Sequence, residues 1–178
     1  MDIATVMVLA AACAPQIDAG TAHALVSVES SHNPWAIGVV GGQLARQPRS
    51  HAEALATARA LQSEGWNFSV GLGQINVGNF ERLGLTLSSA FEPCTNLAAM
   101  QAVLVDCFDR AAARVVGTQR RLRMALSCYY AGNFTTGFHH GYVGRVAKAA
   151  LRPVSRAPPV QRGVAVDSPP AQSIKEPQ

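Results

Sequence analysis

A single glutamate continues the apolar face of a predicted helix. The residues that share this face at helical spacing are Ala22, Leu25, Val26 and Glu29. Partial burial and the negative end of the helix dipole both disfavour a charged carboxylate, so we expect the pKa of Glu29 to be raised. A carboxyl group that keeps its proton near neutral pH can act as a general acid. The alternative is an ordinary glutamate at a helix boundary that reaches water.

A glycine-rich segment followed by two amides is a second candidate. Its sequence is Ser69-Val70-Gly71-Leu72-Gly73-Gln74-Ile75-Asn76. The glycines allow the backbone to approach a ligand closely. The amides of Gln74 and Asn76 donate and accept hydrogen bonds, as sugar hydroxyl and acetamide groups require. The segment has no lysine and lacks the spacing of a phosphate-binding loop, which disfavours nucleotide binding. A plain tight turn before a helix is the alternative.

A pair of tyrosines at the end of another predicted helix is the third candidate. The segment is Cys128-Tyr129-Tyr130-Ala131-Gly132-Asn133. A tyrosine at a helix end, followed by small residues, can place a hydroxyl group and a flat ring in a groove. Tyrosine pairs also fill the seams between packed helices, so this segment alone does not decide between binding and packing.

The three segments, in this order and at this spacing, resemble the lysozyme-like lytic transglycosylases of bacteria. That family has Glu-Ser, then Gly-Leu-x-Gln-Ile, then Ala-Tyr-Asn-Ala-Gly. The corresponding segments here are Glu29-Ser30, Gly71-Leu72-Gly73-Gln74-Ile75 and Cys128-Tyr129-Tyr130-Ala131-Gly132. Tyr130 departs from the family, which usually has asparagine at this position, so that asparagine's contact is absent or replaced.

Further segments resemble the small transglycosylases that accompany type IV secretion and conjugation machines. They are Cys13-Ala14-Pro15, Asn33-Pro34-Trp35-Ala36-Ile37-Gly38, Gly71–Asn76 with Asn79, Pro93-Cys94-Thr95-Asn96 and Gly141-Tyr142-Val143. The resemblance covers roughly residues 5–150. It implies a periplasmic enzyme that acts on peptidoglycan glycan strands and opens the wall locally for such a machine. Components of the machine are then expected partners.

The resemblance also implies a mechanism with one carboxylic acid. Glu29 would protonate the oxygen of the β-1,4 bond between N-acetylmuramic acid and N-acetylglucosamine. It would then take the proton of the muramic acid C6 hydroxyl, which attacks C1 and leaves a 1,6-anhydromuramyl end. Most glycosidases use two carboxylates instead, and the three motif segments contain no second Asp or Glu.

Other site residues follow from the same resemblance. Ser30 and Tyr129 would orient the carboxyl group of Glu29. The residues expected to contact the substrate are Ser30, Gly71, Leu72, Gln74, Ile75, Asn76, Tyr129, Ala131 and Gly132. No cofactor and no metal is implied. The five histidines, which lack metalloenzyme spacing and are expected in surface or capping roles, are His23, His32, His51, His139 and His140.

Two other functions are kept as alternatives. A hydrolysing muramidase, or lysozyme, would use the same acid but would direct water to C1. A non-catalytic peptidoglycan-binding scaffold would keep the fold without the reaction. The presence of Glu29 disfavours the scaffold, whereas Tyr130 in place of asparagine keeps it under consideration.

The elements that must position these residues are predicted to be mostly helical. Helices are expected over 18–31, 50–64, 95–117, 119–131 and 140–151, and short strands over Ala36–Val40 and Phe68–Val70. Ser50 and Glu53 fit a capping box, and Thr95 or Asn96 is expected to cap the long helix. The fold class is therefore mainly α, an α+β lysozyme-like domain with a small β-hairpin element beside the groove.

The composition limits the class of protein. Of the 178 residues, 48% are hydrophobic and 15% are charged, which excludes wholesale disorder. No apolar run reaches the ~18 residues of a membrane-spanning helix, so no transmembrane segment is predicted. The 15 basic and 11 acidic residues leave a net charge of +4, which is too small to indicate nucleic acid as a partner.

The two ends of the chain differ from its centre. Residues 152–178 hold six of the ten prolines and no aromatic residue, so we predict a disordered Pro-rich C-terminal tail after a domain at 1–151. At the other end, Ile3–Ala14 is apolar and as long as the core of a signal peptide. It lacks the positive start that a signal peptide has, so we favour a first core helix over an export signal.

Four cysteines, Cys13, Cys94, Cys107 and Cys128, allow three complete pairings. They would be free thiols in the cytosol and would tend to oxidise in the periplasm. Cys107 and Cys128 lie on successive helices that we expect to pack antiparallel, and Cys13 and Cys94 each lie beside a proline near a helix end. We therefore favour the pairs Cys13–Cys94 and Cys107–Cys128.

Overall fold

The computed structural model of this chain describes residues 1–151. The predicted Pro-rich tail, residues 152–178, lies outside the described residues. The helices are α1 (Ile3–Cys13), α2 (Ala19–Ser30), α3 (His51–Ser63), α4 (Phe80–Leu83), α5 (Pro93–Ala112), α6 (Thr118–Ala131), α7 (Thr136–His139) and α8 (Tyr142–Ala150). The strands are β1 (Ile37–Val39), β2 (Phe68–Val70) and β3 (Ile75–Asn76). The predicted fold class, mainly α with a small β element, is confirmed.

Short polar residues begin several of the helices, as their sequence context predicts. Asp18 accepts a hydrogen bond from the Thr21 backbone N–H at 2.9 Å, and Ser50 Oγ accepts one from the Glu53 N–H at 3.2 Å. The second half of the predicted capping box does not form. The Glu53 carboxylate instead accepts from the backbone N–H of Arg49 at 2.8 Å and pairs with Arg46.

Helix α5 begins earlier than expected, since its N-cap lies three residues before Thr95, the earlier of the two expected caps. Glu92 is its N-cap and Pro93 its first residue, a position where proline's fixed φ angle suits the helix. Asn96 is therefore not a cap but a buried residue inside the first turns of α5. The helix ends at Ala112 rather than near Gly117.

The sheet has three antiparallel strands in the order β1-β2-β3. Ile37 pairs with Val70 across β1 and β2, and Val70 pairs with Ile75 across β2 and β3. The two-residue strand β3 is not predicted from the sequence, because so short a segment carries no alternation. The glycine-rich segment is thus a tight turn that leads into a strand and not directly into a helix.

Helix α1 belongs to the hydrophobic core, as predicted for this segment. Val6 and Ala10 are fully buried, and α1 packs against α2 and α5. Within residues 1–151, no helix is long and apolar enough to cross a membrane.

Two disulfides tie the helices together. Cys13 pairs with Cys94 at a Cα–Cα distance of 5.2 Å, and Cys107 pairs with Cys128 at 5.7 Å. These are the pairs that we favour from the sequence. The first links α1 to α5 and the second links α5 to α6, so both converge on the central helix.

Candidate active site

A groove of about 630 Å³ runs past the end of helix α2. Its lining comes from the end of α2, the sheet, the segment that follows β3, one face of α5 and the end of α6. Glu29 lies in the last turn of α2 and contributes to the lining. The predicted acid therefore faces a groove with room for a polymer rather than bulk solvent.

The carboxyl group of Glu29 has one tyrosine hydroxyl as its direct partner. The Tyr142 hydroxyl, on α8, donates a hydrogen bond to Glu29 Oε1. Burial raises the pKa of Glu29 to about 7, while the Tyr142 hydrogen bond and the positive charge of Arg145 lower it by smaller amounts. Near neutral pH a large fraction of Glu29 thus carries a proton that it can donate.

Tyr142 was not predicted as a partner of Glu29. It is 113 positions away along the chain, and only the packing of α2 against α8 brings the two residues together. The one available signal was the Gly141-Tyr142-Val143 segment, which contributes to the family resemblance without indicating a role. Burial and the neighbouring Glu29 carboxylate raise the pKa of Tyr142, so its hydroxyl stays a donor.

The two residues expected to orient Glu29 make other hydrogen bonds. Ser30 Oγ donates to the Val26 carbonyl at 3.1 Å, within its own helix. The Tyr129 hydroxyl donates to the Gly73 carbonyl. Tyr129 therefore links α6 to the glycine-rich turn, and its hydroxyl makes no hydrogen bond to Glu29 in the described part of the chain. Burial and the nearby Glu29 charge raise the pKa of Tyr129.

The side-chain amide of Asn96, a buried residue of α5, holds the glycine-rich turn in place. Its Nδ2 donates to the Val70 and Ala90 carbonyls at 3.0 and 2.7 Å, and its Oδ1 accepts from the Gly73 N–H at 2.7 Å. A Cβ atom on Gly71 would lie 2.2 Å from Asn96 Nδ2, and the φ angle of Gly71 is +79°. Glycine is thus required at position 71 by the backbone conformation and by this contact.

The amides of Gln74 and Asn76 line the groove but are used by the fold. Gln74 Nε2 donates to the Ala36 and Gly71 carbonyls at 3.1 and 3.0 Å. Asn76 Nδ2 donates to Asn67 Oδ1 at 2.7 Å, and Asn76 Oδ1 accepts from the Gly78 N–H at 3.0 Å. A substrate would compete with these bonds for the amide donors.

The predicted substrate-contact residues divide into two groups. Those that line the groove are Gln74, Ile75, Asn76, Tyr129, Ala131 and Gly132. Ser30, Gly71 and Leu72 are buried and are not part of the lining, and Leu72 is a core residue with no exposed surface. These three residues lie behind the groove surface and not on it.

Most of the chain matches one known protein family. The model of the transglycosylase SLT domain matches residues 7–151, which is most of the chain. The protein belongs to the transglycosylase SLT domain family. The enzyme class predicted from the sequence, a peptidoglycan lytic transglycosylase, is thereby confirmed.

Relatives of this SLT domain carry a secretion-related name. The chain is 45% identical over 165 residues to the "Type IV secretion system protein virB1" of Brucella suis biovar 1 (strain 1330). The aligned residues make up 88% of this chain and 69% of that protein. The chain is 36% identical over 151 residues to "Protein virB1" of Agrobacterium tumefaciens (strain 15955), covering 83% and 62% respectively. No solved structure gives a significant match.

Tyr130 stands where the family usually has asparagine. It lies in the groove beside Tyr142, the hydrogen-bond partner of Glu29. Its ring stacks on the Tyr142 ring with centroids 4.6 Å apart and an interplanar angle of 19°. Its hydroxyl lies 3.2 Å from His140 Nδ1, and the residue is 41% exposed. The aromatic ring thus adds a packing contact to Tyr142 where the family has an amide.

A second carboxylate also lines the groove of this SLT domain. Asp106, on α5, is exposed and pairs with Arg110 at 3.2 Å. The sequence expectation that no second acid accompanies Glu29 holds for the three motif segments but not for the groove. Asp106 was missed because it lies in the middle of a long helix, outside every motif.

The histidines are placed differently from expectation in one case. His23 is only 8% exposed, and its ring stacks on His32 with centroids 5.0 Å apart. The predicted surface role therefore does not apply to His23. Within residues 1–151, no group of three His, Cys, Asp or Glu side chains is arranged to hold a metal ion.

Proposed function

We propose that this protein cleaves the β-1,4 bond between N-acetylmuramic acid and N-acetylglucosamine in peptidoglycan and leaves 1,6-anhydromuramyl ends. The observation that carries the proposal is the partly buried Glu29 in the groove, with its pKa raised to about 7 and its carboxyl group hydrogen-bonded to Tyr142. An acid with this pKa is suited to donate a proton and later to accept one at neutral pH.

The first step is a proton transfer from Glu29 to the glycosidic oxygen. The bond between C1 of the muramic acid and this oxygen breaks, and the N-acetylglucosamine alcohol leaves. Positive charge develops at C1, and the Glu29 carboxylate that forms stabilises it electrostatically. The Tyr142 hydroxyl stabilises the new carboxylate by its hydrogen bond.

The second step returns the proton to Glu29. The carboxylate accepts the proton of the C6 hydroxyl of the same sugar while that oxygen bonds to C1. No water is consumed, and Glu29 is again protonated for the next cycle. The C6 hydroxyl has a high effective concentration because it belongs to the reacting sugar.

One observation favours hydrolysis as a second candidate. Asp106 lines the same groove as Glu29, and many glycosidases use a second carboxylate. The ion pair with Arg110 and the exposure of Asp106 disfavour a role as base or nucleophile, because the charge is already partnered and solvated. We therefore rank the intramolecular reaction first.

Mass spectrometry of digested wall distinguishes the two reactions. We expect muropeptides with 1,6-anhydromuramic acid ends, lighter by one water than hydrolysis products, and we expect the Asp106→Asn variant to give the same products. Predominantly reducing ends that disappear in Asp106→Asn would assign the protein to the muramidases.

A turbidity assay on purified wall separates an enzyme from a scaffold. Glu29→Gln keeps the shape of the side chain and removes the proton donor, so clearing should fall about 10²–10⁴-fold. Binding to wall without clearing by the parent protein would support the scaffold.

The biological role that we propose is a local opening of the wall for a type IV secretion or conjugation apparatus, with components of that apparatus as partners. The names of the two virB1 relatives support it. We also propose a periplasmic location, since the wall lies there and both disulfides require an oxidising compartment. Deletion of the gene should reduce substrate transfer, and a Glu29→Gln copy should fail to restore it.

A further inference from the structure

Two arginines line the groove without a part in the proton transfers. Arg82 comes from α4 and Arg110 from α5, and both are exposed. Arg82 Nη2 donates to Asn79 Oδ1 at 3.2 Å, and no carboxylate within residues 1–151 pairs with it. Arg110 Nη1 pairs with Asp106 Oδ2 at 3.2 Å.

Both arginines lie on the side of their helices that lines the groove. Along α5, the groove residues Val103, Asp106, Cys107 and Arg110 recur at helical spacing, so one face of α5 forms a wall that extends about 10 Å. Arg82 belongs to a separate helix that lines the same groove. Two helices, α4 and α5, thus each place a positively charged side chain in the groove.

The groove is therefore positively charged when it is ready to react. Its acidic and basic lining residues within residues 1–151 are Glu29, Arg82, Asp106 and Arg110. Glu29 must be protonated to act as an acid, so two guanidinium groups are opposed by the Asp106 carboxylate alone. Charged groups inside a cleft concentrate an oppositely charged ligand there.

The sugar rings of the glycan strand carry no charge, whereas the peptide stems attached to muramic acid carry free carboxylates. Guanidinium groups bind carboxylates through paired N–H donors. We propose that Arg82 and Arg110 bind the stem carboxylates, so that this protein acts preferentially on stem-bearing, anionic glycan. The inference rests on the proposed function, because it concerns the substrate of that same groove.

The test compares two walls that differ only in charge. One is purified peptidoglycan. The other is the same material after carbodiimide coupling to methylamine, which converts its carboxylates into neutral amides. We expect the parent protein to have a kcat/KM about fivefold or more higher on the untreated wall at low salt, and we expect this preference to fall as salt screens the charges.

Three variants then assign the preference to residues. Arg82→Gln and Arg110→Gln should each reduce the ratio of kcat/KM on untreated and amidated wall. Asp106→Asn should increase the ratio, because it removes the competing carboxylate from Arg110. Arg59→Gln is the matched control, since Arg59 is an exposed arginine on α3 outside the groove lining, and its ratio should equal that of the parent.

The inference is wrong if the groove variants lose activity equally on both walls, or if Arg59→Gln lowers the ratio as much as they do. A failure of the proposed function has another sign, namely that neither wall releases fragments. In that case cosedimentation of the catalytically disabled Glu29→Gln protein with the two walls tests the inference alone. Equal binding to both walls would overturn it.

Discussion

The ring of Tyr130 lies nearly parallel to the ring of Tyr142, with the two centroids 4.6 Å apart. Tyr142 in turn donates its hydroxyl hydrogen to the carboxyl group of Glu29. The groove residue that replaces the family asparagine thus packs on the residue that holds the acid. This arrangement links the departure from the family pattern at Tyr130 to the acid that we propose.

Truncation of Tyr130 should therefore affect Tyr142. We expect Tyr130→Ala to lower the free energy of unfolding by about 1 kcal/mol, because an aromatic pair contributes about 0.5–1.5 kcal/mol beyond area burial. Tyr130→Phe keeps the stack and should lose less stability and less kcat than Tyr130→Ala. Thermal denaturation and wall-clearing rates measure both effects, and equal losses in the two variants would contradict a role for the ring.

The Tyr142→Phe variant should shift the pH dependence of the reaction. The Tyr142 hydrogen bond lowers the pKa of Glu29, which is about 7 in the intact site. Activity of the parent should decline as pH rises through this value, because the acid loses its proton. Without the hydroxyl the pKa rises, so the alkaline limb of the kcat/KM profile should move to higher pH. A limb that moves to lower pH would contradict this assignment.

The stability of the fold should also depend on Glu29. Its pKa is raised in the folded state to about 7 from an ordinary 4.5, so the folded chain holds the proton at pH values where the unfolded chain has released it. Stability therefore decreases as pH rises from about 4.5 to 7, by about 3 kcal/mol in total. Glu29→Gln removes this dependence. The Tm difference between variant and parent should be small at pH 4 and clearly positive at pH 8.

Asn96 should be needed for both the fold and the groove. Replacement by alanine leaves the Gly73 N–H and two buried carbonyls without their partner, which should lower the free energy of unfolding by about 3 kcal/mol. The turn between β2 and β3 also carries Gln74, so KM for wall fragments should rise. Asn96→Asp keeps the acceptor for Gly73 and loses the donors, and should have an intermediate KM.

The disulfide between α5 and α6 should be a substantial stabilising element. Its cysteines are 21 positions apart, and closing a loop of about this length contributes roughly 3 kcal/mol in the chain-entropy model. Cys107→Ser should lower Tm and leave one reactive thiol, at Cys128. Peptide mapping after alkylation identifies the labelled residue, and a label at Cys13 or Cys94 would show a different pairing.

Local sequence patterns were sufficient for the approximate positions of the longer helices and for the candidate acid. Asp18 and Ser50 cap helices where their context predicts, because capping depends on residues three positions apart. Helical periodicity places Glu29 on the apolar face of α2, and the family resemblance indicates its role as the acid. Its raised pKa follows from the burial of this face.

Tertiary packing decided the surroundings of Glu29 and of the glycine-rich turn. Tyr142 lies 113 positions from Glu29, and Asn96 lies 23 positions from the Gly73 N–H that it accepts from. Asp106 joins the groove because one face of α5 forms its wall. Periodicity reports which face of an element is buried but not which residues of another element meet it. The sequence by itself therefore indicated the candidate acid, while the packing of α2, α5, α6 and α8 decided what holds and surrounds it.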